Sequence, residues 1–149
     1  MSCTFCDLIE AGDVPWLVRE DRAAAFPPLP GGELAPGHTL VISTTHSLGV
    51  IDAPPTDLAA AMALVQRVGR AMQTALGATG IVVLNASGPD SGQSVAHLHF
   101  HVVPCWADDE VTFWPASRSR HQLAGTAHEL LADALAGEPT GPGGLMPER

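Results

Sequence analysis

Three histidines alternate with apolar residues in the segment His97-Leu-His-Phe-His-Val-Val-Pro104. Side chains of a β-strand alternate between its two faces, so His97, His99 and His101 would project from one face and apolar residues from the other. Imidazoles at this spacing suit two kinds of chemistry. They can coordinate a metal, or they can bind an anion with one ring as nucleophile and its neighbours as hydrogen-bond donors. A chance row of surface histidines is the less favoured interpretation, because histidine is an uncommon residue.

A polar, glycine-rich loop, Gly88-Pro-Asp-Ser-Gly-Gln-Ser94, lies just upstream of the histidine row. Glycines let the backbone approach a ligand closely, and Gln93 and Ser94 add polar side chains. Beside three imidazoles, the backbone N–H groups of such a loop could form an anion-binding nest.

The charge of the chain excludes several functions. Among 149 residues there are 16 acidic residues and 7 arginines but no lysine, and the net charge is −9. A P-loop and a Schiff-base enzyme both need a lysine, so neither mechanism is available. An acidic chain is also a poor match for the phosphate backbone of nucleic acids. The predicted partner is therefore a small molecule and not a nucleic acid.

The sequence shows no sign of a membrane or secretory segment. No apolar run approaches the ~20 residues that a bilayer-spanning helix needs, and the N-terminus lacks the pattern of a signal peptide. Cys3, Cys6 and Cys105 are too few for a secreted disulfide scaffold. We therefore expect a cytoplasmic protein with no membrane partner.

The histidine row resembles the signature of the histidine triad (HIT) family, His-φ-His-φ-His-φ-φ with φ apolar, which is complete over residues 97–103. Cys3-Thr-Phe-Cys6, Pro36-Gly-His-Thr-Leu-Val-Ile42, His46 and Gly92-Gln-Ser-Val95 are similar to further family elements. Family members attack the α-phosphorus of nucleoside phosphates. The resemblance implies hydrolysis of dinucleoside polyphosphates or nucleoside phosphoramidates, with release of a nucleoside monophosphate. The Gly-Pro-x-x-Gly-Gln stretch looks more like the dinucleoside-polyphosphate (fragile histidine triad) branch.

The resemblance also implies a role for each matching residue. His99 would be the nucleophile that forms a transient nucleotidyl-histidine, and His101 and Gln93 would contact the α-phosphoryl oxygens. Ser94 would donate to the phosphate or the leaving group, and His38 would support the triad. Neutral imidazole is a competent nucleophile near pH 7, which agrees with these roles.

Recognition of the ribose departs from the family pattern. Many members carry an acidic residue shortly after the position of Phe26, where this chain has Pro27 and Pro28. Asn85 is the candidate that could help to hold the nucleotide instead.

Zinc-containing members of the family hold their metal with an N-terminal Cys-x2-Cys pair, a later histidine and the first triad histidine. The matching residues are Cys3, Cys6, His46 and His97. Four protein ligands leave no open position, so the zinc would be structural. Reduced cysteines without a metal and a redox pair are the alternatives, and the missing βαβ setting disfavours the redox pair. No organic cofactor is implied, and any divalent metal in the reaction would be a counter-ion of the substrate.

The pattern of residues also predicts the elements that position these groups. Predicted strands cover residues 16–19, 23–26, 38–43, 81–84 and 95–103, the last two as a hairpin. A helix is predicted from about 54 to 77, with an apolar stripe at Leu58, Met62, Val65, Gly69, Met72 and Leu76, and another over 118–136. With the resemblance, this predicts an α+β fold with a mostly antiparallel five-stranded sheet and two helices, paired in a homodimer. We expect the HIT domain over residues 1–137 and a flexible tail over 138–149.

Two other functions fit the same residues. A nucleotidyltransferase or phosphorylase would use the same histidine and pass the nucleotide to phosphate or a sugar phosphate. A non-catalytic nucleotide-binding or zinc-stabilised module would need no nucleophile, and the intact His99 argues against it.

Overall fold

Short runs of small and β-branched residues form one antiparallel sheet in this computed structural model, which describes residues 2–140. The strands are β1 (Val18–Arg19), β2 (Ala23–Phe26), β3 (Thr39–Ser43), β4 (Gly80–Leu84) and β5 (His99–Cys105). Their order is β1-β2-β3-β5-β4, so β5 lies inside the sheet between β3 and β4. The predicted five strands and the β4–β5 hairpin are confirmed. Residues 141–149, most of the predicted tail, lie outside the described residues.

The register of β3 and β5 divides the sheet into two faces. Leu40 lies opposite His101 and Ile42 opposite His99. Because cross-strand partners share a face, the two histidines lie on the side of the apolar cluster formed by Phe5, Ala24, Phe26, Leu40 and Ile42. The other face, with Val41, Phe100 and Val102, packs in a second cluster with the long helix. The imidazoles and the long helix are therefore on opposite sides of the sheet.

The long helix, α2 (Pro55–Leu76), begins after Pro54 and ends at the left-handed Gly77, as predicted. Its buried face differs from the predicted stripe. Residues Ala61, Leu64 and Val68 are buried, whereas Met62 and Leu76 are 47% and 45% exposed. A helix that lies on a sheet buries a broad arc of side chains, and small residues such as Ala61 allow the closest approach.

A first helix, α1 (Thr4–Ala11), was not predicted, so the described fold has three helices. It starts at the N-cap Cys3 and ends at the left-handed Gly12, and its Phe5 is buried. The predicted helix over 118–136 is shorter than expected: α3 is Ala127–Ala136, with Thr126 as its N-cap. Among residues 2–140, no helix has both the length and the apolar character needed to cross a membrane.

The chain divides into two compact units between Val111 and Thr112. The first unit holds the sheet, α1 and α2, and the second holds α3. The extent of the HIT domain to residue 137 stays a prediction.

A tight turn before β3 depends on Gly37. The Ala35 carbonyl accepts a hydrogen bond from the His38 N–H at 3.0 Å, and Gly37 has a φ of 88°. Pro36 and Gly37 thus occupy the positions that a type II turn assigns to them. A Cβ on Gly37 would also clash with Cδ1 of Leu76.

We expect Gly37→Ala to lower the free energy of unfolding by about 1–3 kcal/mol, because alanine is strained at this φ and must displace Leu76. Urea denaturation measures this loss. Gly77→Ala is the matched control, since Gly77 has a φ of 68° but no atom within 4 Å of an added Cβ. Equal losses in the two variants would show that the contact with Leu76 adds nothing.

Candidate functional site

His99 is buried at the start of β5, on the face that α1 contacts. Its Nδ1 lies 2.7 Å from the carbonyl oxygen of His97. A carbonyl only accepts, so Nδ1 carries the proton and donates it, and a neutral ring then has its lone pair on Nε2. The ring of Phe5 packs edge-on against this imidazole, with 5.2 Å between the centroids. The geometry therefore leaves Nε2 of His99 as the ring nitrogen with a free lone pair.

His101 and His38 form an imidazole pair beside His99. The centroids of the His99 and His101 rings are 5.2 Å apart. Nδ1 of His101 lies 2.9 Å from Nε2 of His38, and Nδ1 of His38 accepts a hydrogen bond of 3.0 Å from the backbone N–H of Leu34. The structure thus brings together the three histidines that the sequence singled out for catalysis.

Both rings of this pair are neutral at physiological pH. Burial lowers the pKa of His38 below its usual range. Burial, and then the neighbouring His99 and His38, lower the pKa of His101 to about 4. A neutral ring offers one donor and one acceptor, so these imidazoles can contact a phosphate without adding positive charge beside His99.

The lowered pKa of His101 makes the stability of the fold depend on pH. The pKa of this ring is 6.5 when unperturbed and about 4 in the folded protein. Between these values the unfolded chain binds more protons, so stability is lost as the pH falls from about 6.5 toward 4. We expect a loss of about 1–2 kcal/mol between pH 7 and 5, reduced from the full linkage value because the ring is only half-buried.

Urea denaturation of the wild type and His101→Gln across this range tests the pH dependence. All other titratable residues are the same in both proteins, so the difference between their stability curves reports His101 and its coupling to His99 and His38. The wild type should lose stability faster on acidification. Parallel curves would show that His101 does not contribute.

Four donor atoms meet where α1 begins. The ligand atoms of Cys3, Cys6, His46 and His97 all lie within 4.8 Å of one another. The Sγ of Cys6 lies 3.4 Å from Nδ1 of His46 and 3.6 Å from Nδ1 of His97, and these two nitrogens are 3.3 Å apart. Zinc bonds of about 2.0–2.3 Å place tetrahedral ligands about 3.3–3.8 Å from one another. Donor types and spacing therefore fit a closed, four-coordinate metal site.

A hydrogen bond fixes the ring of His97 toward the cysteines. Its Nε2 lies 2.6 Å from the carbonyl oxygen of Ser43 and donates to it, so Nδ1 is free to bind a metal. Burial, and then the adjacent Cys3, raise the pKa of the Cys6 thiol to about 11. The reactive thiol of a redox Cys-x2-Cys pair has a lowered pKa. A thiol with a raised pKa is ionised when a bound cation stabilises the thiolate. The set therefore suits a metal better than a redox role.

His97 precedes β5, which starts at His99 and not at Val95 as predicted. The loop is held at this point because the N–H of Leu98 donates to the carbonyl of Ser47 at 2.8 Å. His97 therefore lies just outside the strand that carries His99 and His101, although the ring of Phe5 contacts both His97 and His99. The ring of His97 faces the metal ligands, while its carbonyl accepts from His99.

Gln93 and Asn85, which the sequence suggested as nucleotide ligands, make hydrogen bonds within the chain. The carboxamide of Gln93 accepts from the N–H of Gly88 at 2.9 Å and donates to the carbonyl of Leu48 at 2.6 Å. The side-chain NH₂ of Asn85 donates to the carbonyl of His99 at 2.9 Å. Both side chains therefore hold the loop and β5 in place.

Ser94 is exposed beside the metal ligands. It lines a cavity of about 290 Å³ with Cys3 and His46. A second cavity, of about 560 Å³, lies against α2 and has a mostly apolar lining that includes Met72 and His38. The smaller cavity has the more polar lining of the two.

Sequence reasoning missed three groups that hold the site together. Two belong to the main chain, the carbonyl of Ser43 and the N–H of Leu34, and residue type gives no signal for them. The third is the ring of Phe5, which contacts His97 and His99 edge-on. Its signal was the spacing of Phe5, Leu8 and Ile9, typical of a short amphipathic helix.

Comparisons with known proteins agree with the histidine signature. Residues 33–107 match the HIT domain family. The chain is 36% identical to an uncharacterized HIT-like protein of Saccharolobus solfataricus over 72% of this chain and 76% of that protein. It is 29% identical to an adenosine 5'-monophosphoramidase of Candida albicans over 91% of this chain and 92% of that enzyme. A crystal structure of a Zn-bound histidine triad family protein from Mycobacterium smegmatis matches with a TM-score of 0.68 and 34% identity, covering 76% of this chain and 81% of that chain.

Proposed function

The chain belongs to the HIT domain family, and on that premise we propose that it is a nucleotide hydrolase whose nucleophile is Nε2 of His99. The observation that carries this proposal is the 2.7 Å hydrogen bond from Nδ1 of His99 to the His97 carbonyl. This bond leaves the lone pair on the other ring nitrogen of His99, beside the neutral imidazole pair of His38 and His101. Acyl or phosphoryl transfer through histidine needs such a fixed, unprotonated nitrogen.

The reaction proceeds in two displacements. Nε2 of His99 attacks the α-phosphorus, and the bond between phosphorus and the leaving group breaks as the P–N bond forms. The amine of a phosphoramidate takes up a proton from solvent and departs as ammonia, whereas a nucleotide leaving group departs as an anion. The ring becomes a cation in this step, and the His97 carbonyl stabilises it through the Nδ1 proton. Water then attacks the phosphorus and gives up a proton to solvent, the P–N bond breaks, and a nucleoside monophosphate leaves. His101 donates to a phosphoryl oxygen, and His38 orients His101.

The loop residues keep the binding roles that the sequence suggested. Ser94 donates to the phosphate or the leaving group, and its exposed side chain is free to do so. Gln93 reaches the phosphoryl oxygens by exchanging its bond to Leu48, and Asn85 contributes to the nucleotide site at the point where it already holds the His99 carbonyl. Pro27 and Pro28 supply no carboxylate for the ribose.

Nucleoside phosphoramidates are the favoured substrate class. The Candida albicans relative, which aligns over nearly the whole chain, is an adenosine 5'-monophosphoramidase. The glycine-rich loop alone favoured dinucleoside polyphosphates, and none of the relatives reported above supports that narrower assignment to the fragile histidine triad branch. Dinucleoside polyphosphates are therefore the second candidate substrate class.

We also propose that the Cys3, Cys6, His46 and His97 set holds structural zinc, which the Zn-bound relative supports. A closed site of this kind supplies local stability and no open coordination position for the reaction. The homodimer and the cytoplasmic location stay predictions.

Release of AMP from a substrate panel tests the function. Adenosine phosphoramidate, diadenosine triphosphate and diadenosine tetraphosphate are each incubated with the protein, and AMP is quantified by chromatography. We expect the fastest release from the phosphoramidate. Release that requires added phosphate or a sugar phosphate would indicate a transferase, and AMP binding without any turnover would indicate a binding module.

A further inference from the structure

The loop before β3 reaches the imidazole pair through one main-chain group. The N–H of Leu34 donates to Nδ1 of His38 at 3.0 Å, and Nε2 of His38 lies 2.9 Å from Nδ1 of His101. A backbone N–H can only donate, so Nδ1 of His38 carries no proton. The neutral His38 ring must therefore carry its proton on Nε2 and donate it to His101. Nδ1 of His101 accepts this hydrogen bond and therefore carries no proton. A neutral His101 must then carry its proton on Nε2, the nitrogen that is left free for a ligand.

We propose that the backbone N–H of Leu34 is a positioning group that sets the proton positions of both imidazoles and so makes Nε2 of His101 a hydrogen-bond donor. With the opposite tautomers, an N–H of His38 would face the N–H of Leu34, and two donors at this distance repel each other. His101 would then present a lone pair to a phosphate oxygen and repel it as well. The identity of that acceptor rests on the proposed function, whereas the proton positions do not.

The surrounding turn is built to hold this contact. His38 is 3% exposed, so water does not compete for its ring nitrogens. The Ala35 carbonyl and the His38 N–H close the turn that brings the ring back over Leu34. The side chain of Leu34 is 48% exposed. The functional group at this position is therefore the main-chain amide and not the leucine side chain.

Nitrogen-15 NMR of histidine-labelled protein tests the proposal directly, because a protonated and an unprotonated imidazole nitrogen have well-separated shifts. In the wild type we expect His38 and His101 to carry the proton on Nε2. Replacing Leu34 by its α-hydroxy acid analogue converts the amide into an ester and exchanges the donor for an oxygen acceptor. Both rings should then shift toward the tautomer with the proton on Nδ1. Leu34→Ala removes the side chain but keeps the N–H, and it should show the wild-type tautomers.

A second variant guards against a folding defect in the ester protein. Leu34→Pro also removes the N–H, and either variant that retains the dispersed NMR spectrum of the folded protein can be used. In the ester protein we expect kcat to fall about tenfold. This is less than the loss caused by deleting a preorganised hydrogen-bond donor, because His101 still exchanges between its two tautomers and presents the donor part of the time. A wild-type His101 with its proton on Nδ1, or an ester protein with unchanged tautomers, would overturn the proposal.

The NMR result is independent of whether the protein is a hydrolase. If no substrate in the panel is turned over but the tautomers respond as expected, the proposed function fails and the positioning role stands. If substrate is hydrolysed but the tautomers do not respond, the role of Leu34 fails alone.

Discussion

His99→Ala is expected to lower the turnover of adenosine phosphoramidate at least about 10³-fold, because it removes the atom that forms the covalent intermediate. The remaining imidazoles can position the phosphate, but they cannot replace a nucleophile held at a fixed place in the fold. Binding of AMP should survive, since His101 and the loop residues are untouched. The measurement is single-turnover AMP release by the variant and the wild type, with AMP affinity determined by calorimetry.

His128→Ala is the matched control for this prediction. His128 lies in α3 and is exposed. The control should keep wild-type turnover. A rapid quench of the wild type should also trap an acid-labile nucleotide on the protein that is absent from His99→Ala. Substantial turnover by His99→Ala would remove His99 from the mechanism.

Residue types and spacing predicted which side chains come together better than they predicted the bounds of the elements that carry them. The resemblance of residues 97–103 to the HIT signature predicted His99 as the nucleophile, and the Cys-x2-Cys pair with His46 and His97 predicted a donor set that the fold brings together. Such patterns are readable because each chemical role needs particular residue types. The predicted start of the last strand at Val95 was wrong, because β5 begins only at His99, where the N–H of Leu98 bonds to the carbonyl of Ser47. That bond joins distant parts of the chain and leaves no local signal.

Elements with a long periodic pattern of apolar residues were predictable from the sequence, and short elements were not. The long helix α2 and the antiparallel pairing of β4 with β5 were both predicted, whereas the position of β5 between β3 and β4 was not. The short helix α1 has eight residues and a cysteine as its N-cap, which is not among the residues that usually mark a helix start. The contribution of Leu34 could not have been predicted, because a main-chain N–H is present at nearly every position and only the fold selects one.

One residue, His97, connects the proposed metal site to the proposed nucleophile, His99. The ring of His97 uses Nδ1 toward the cysteines and Nε2 toward the Ser43 carbonyl, while its own carbonyl accepts from Nδ1 of His99. Fixing the ring from two sides also restricts the main chain of this residue. A structural metal can therefore affect the reaction by holding the acceptor that sets the tautomer of His99.

Replacing Cys3 and Cys6 together by serine is expected to remove bound zinc and to lower the free energy of unfolding by about 3–5 kcal/mol. A ligand that binds only the folded state provides this stabilisation when its free concentration is about a thousand times its dissociation constant. Metal analysis should find one zinc per wild-type chain and none in the variant, and thermal unfolding measures the loss. Cys105→Ser is the matched control, since Cys105 is a free cysteine outside the donor set. It should retain both zinc and stability.

Chelation of the wild type separates the metal from the serine substitutions. A chelator should lower the unfolding temperature of the wild type and of Cys105→Ser but leave the double variant unchanged. Wild-type protein that is purified without zinc and unfolds at the same temperature with and without chelator would exclude a structural metal. If the metal also holds the His97 carbonyl, the zinc-free protein should lose more in kcat than in KM, because the substrate-binding loop stays in place while His99 loses its fixed tautomer.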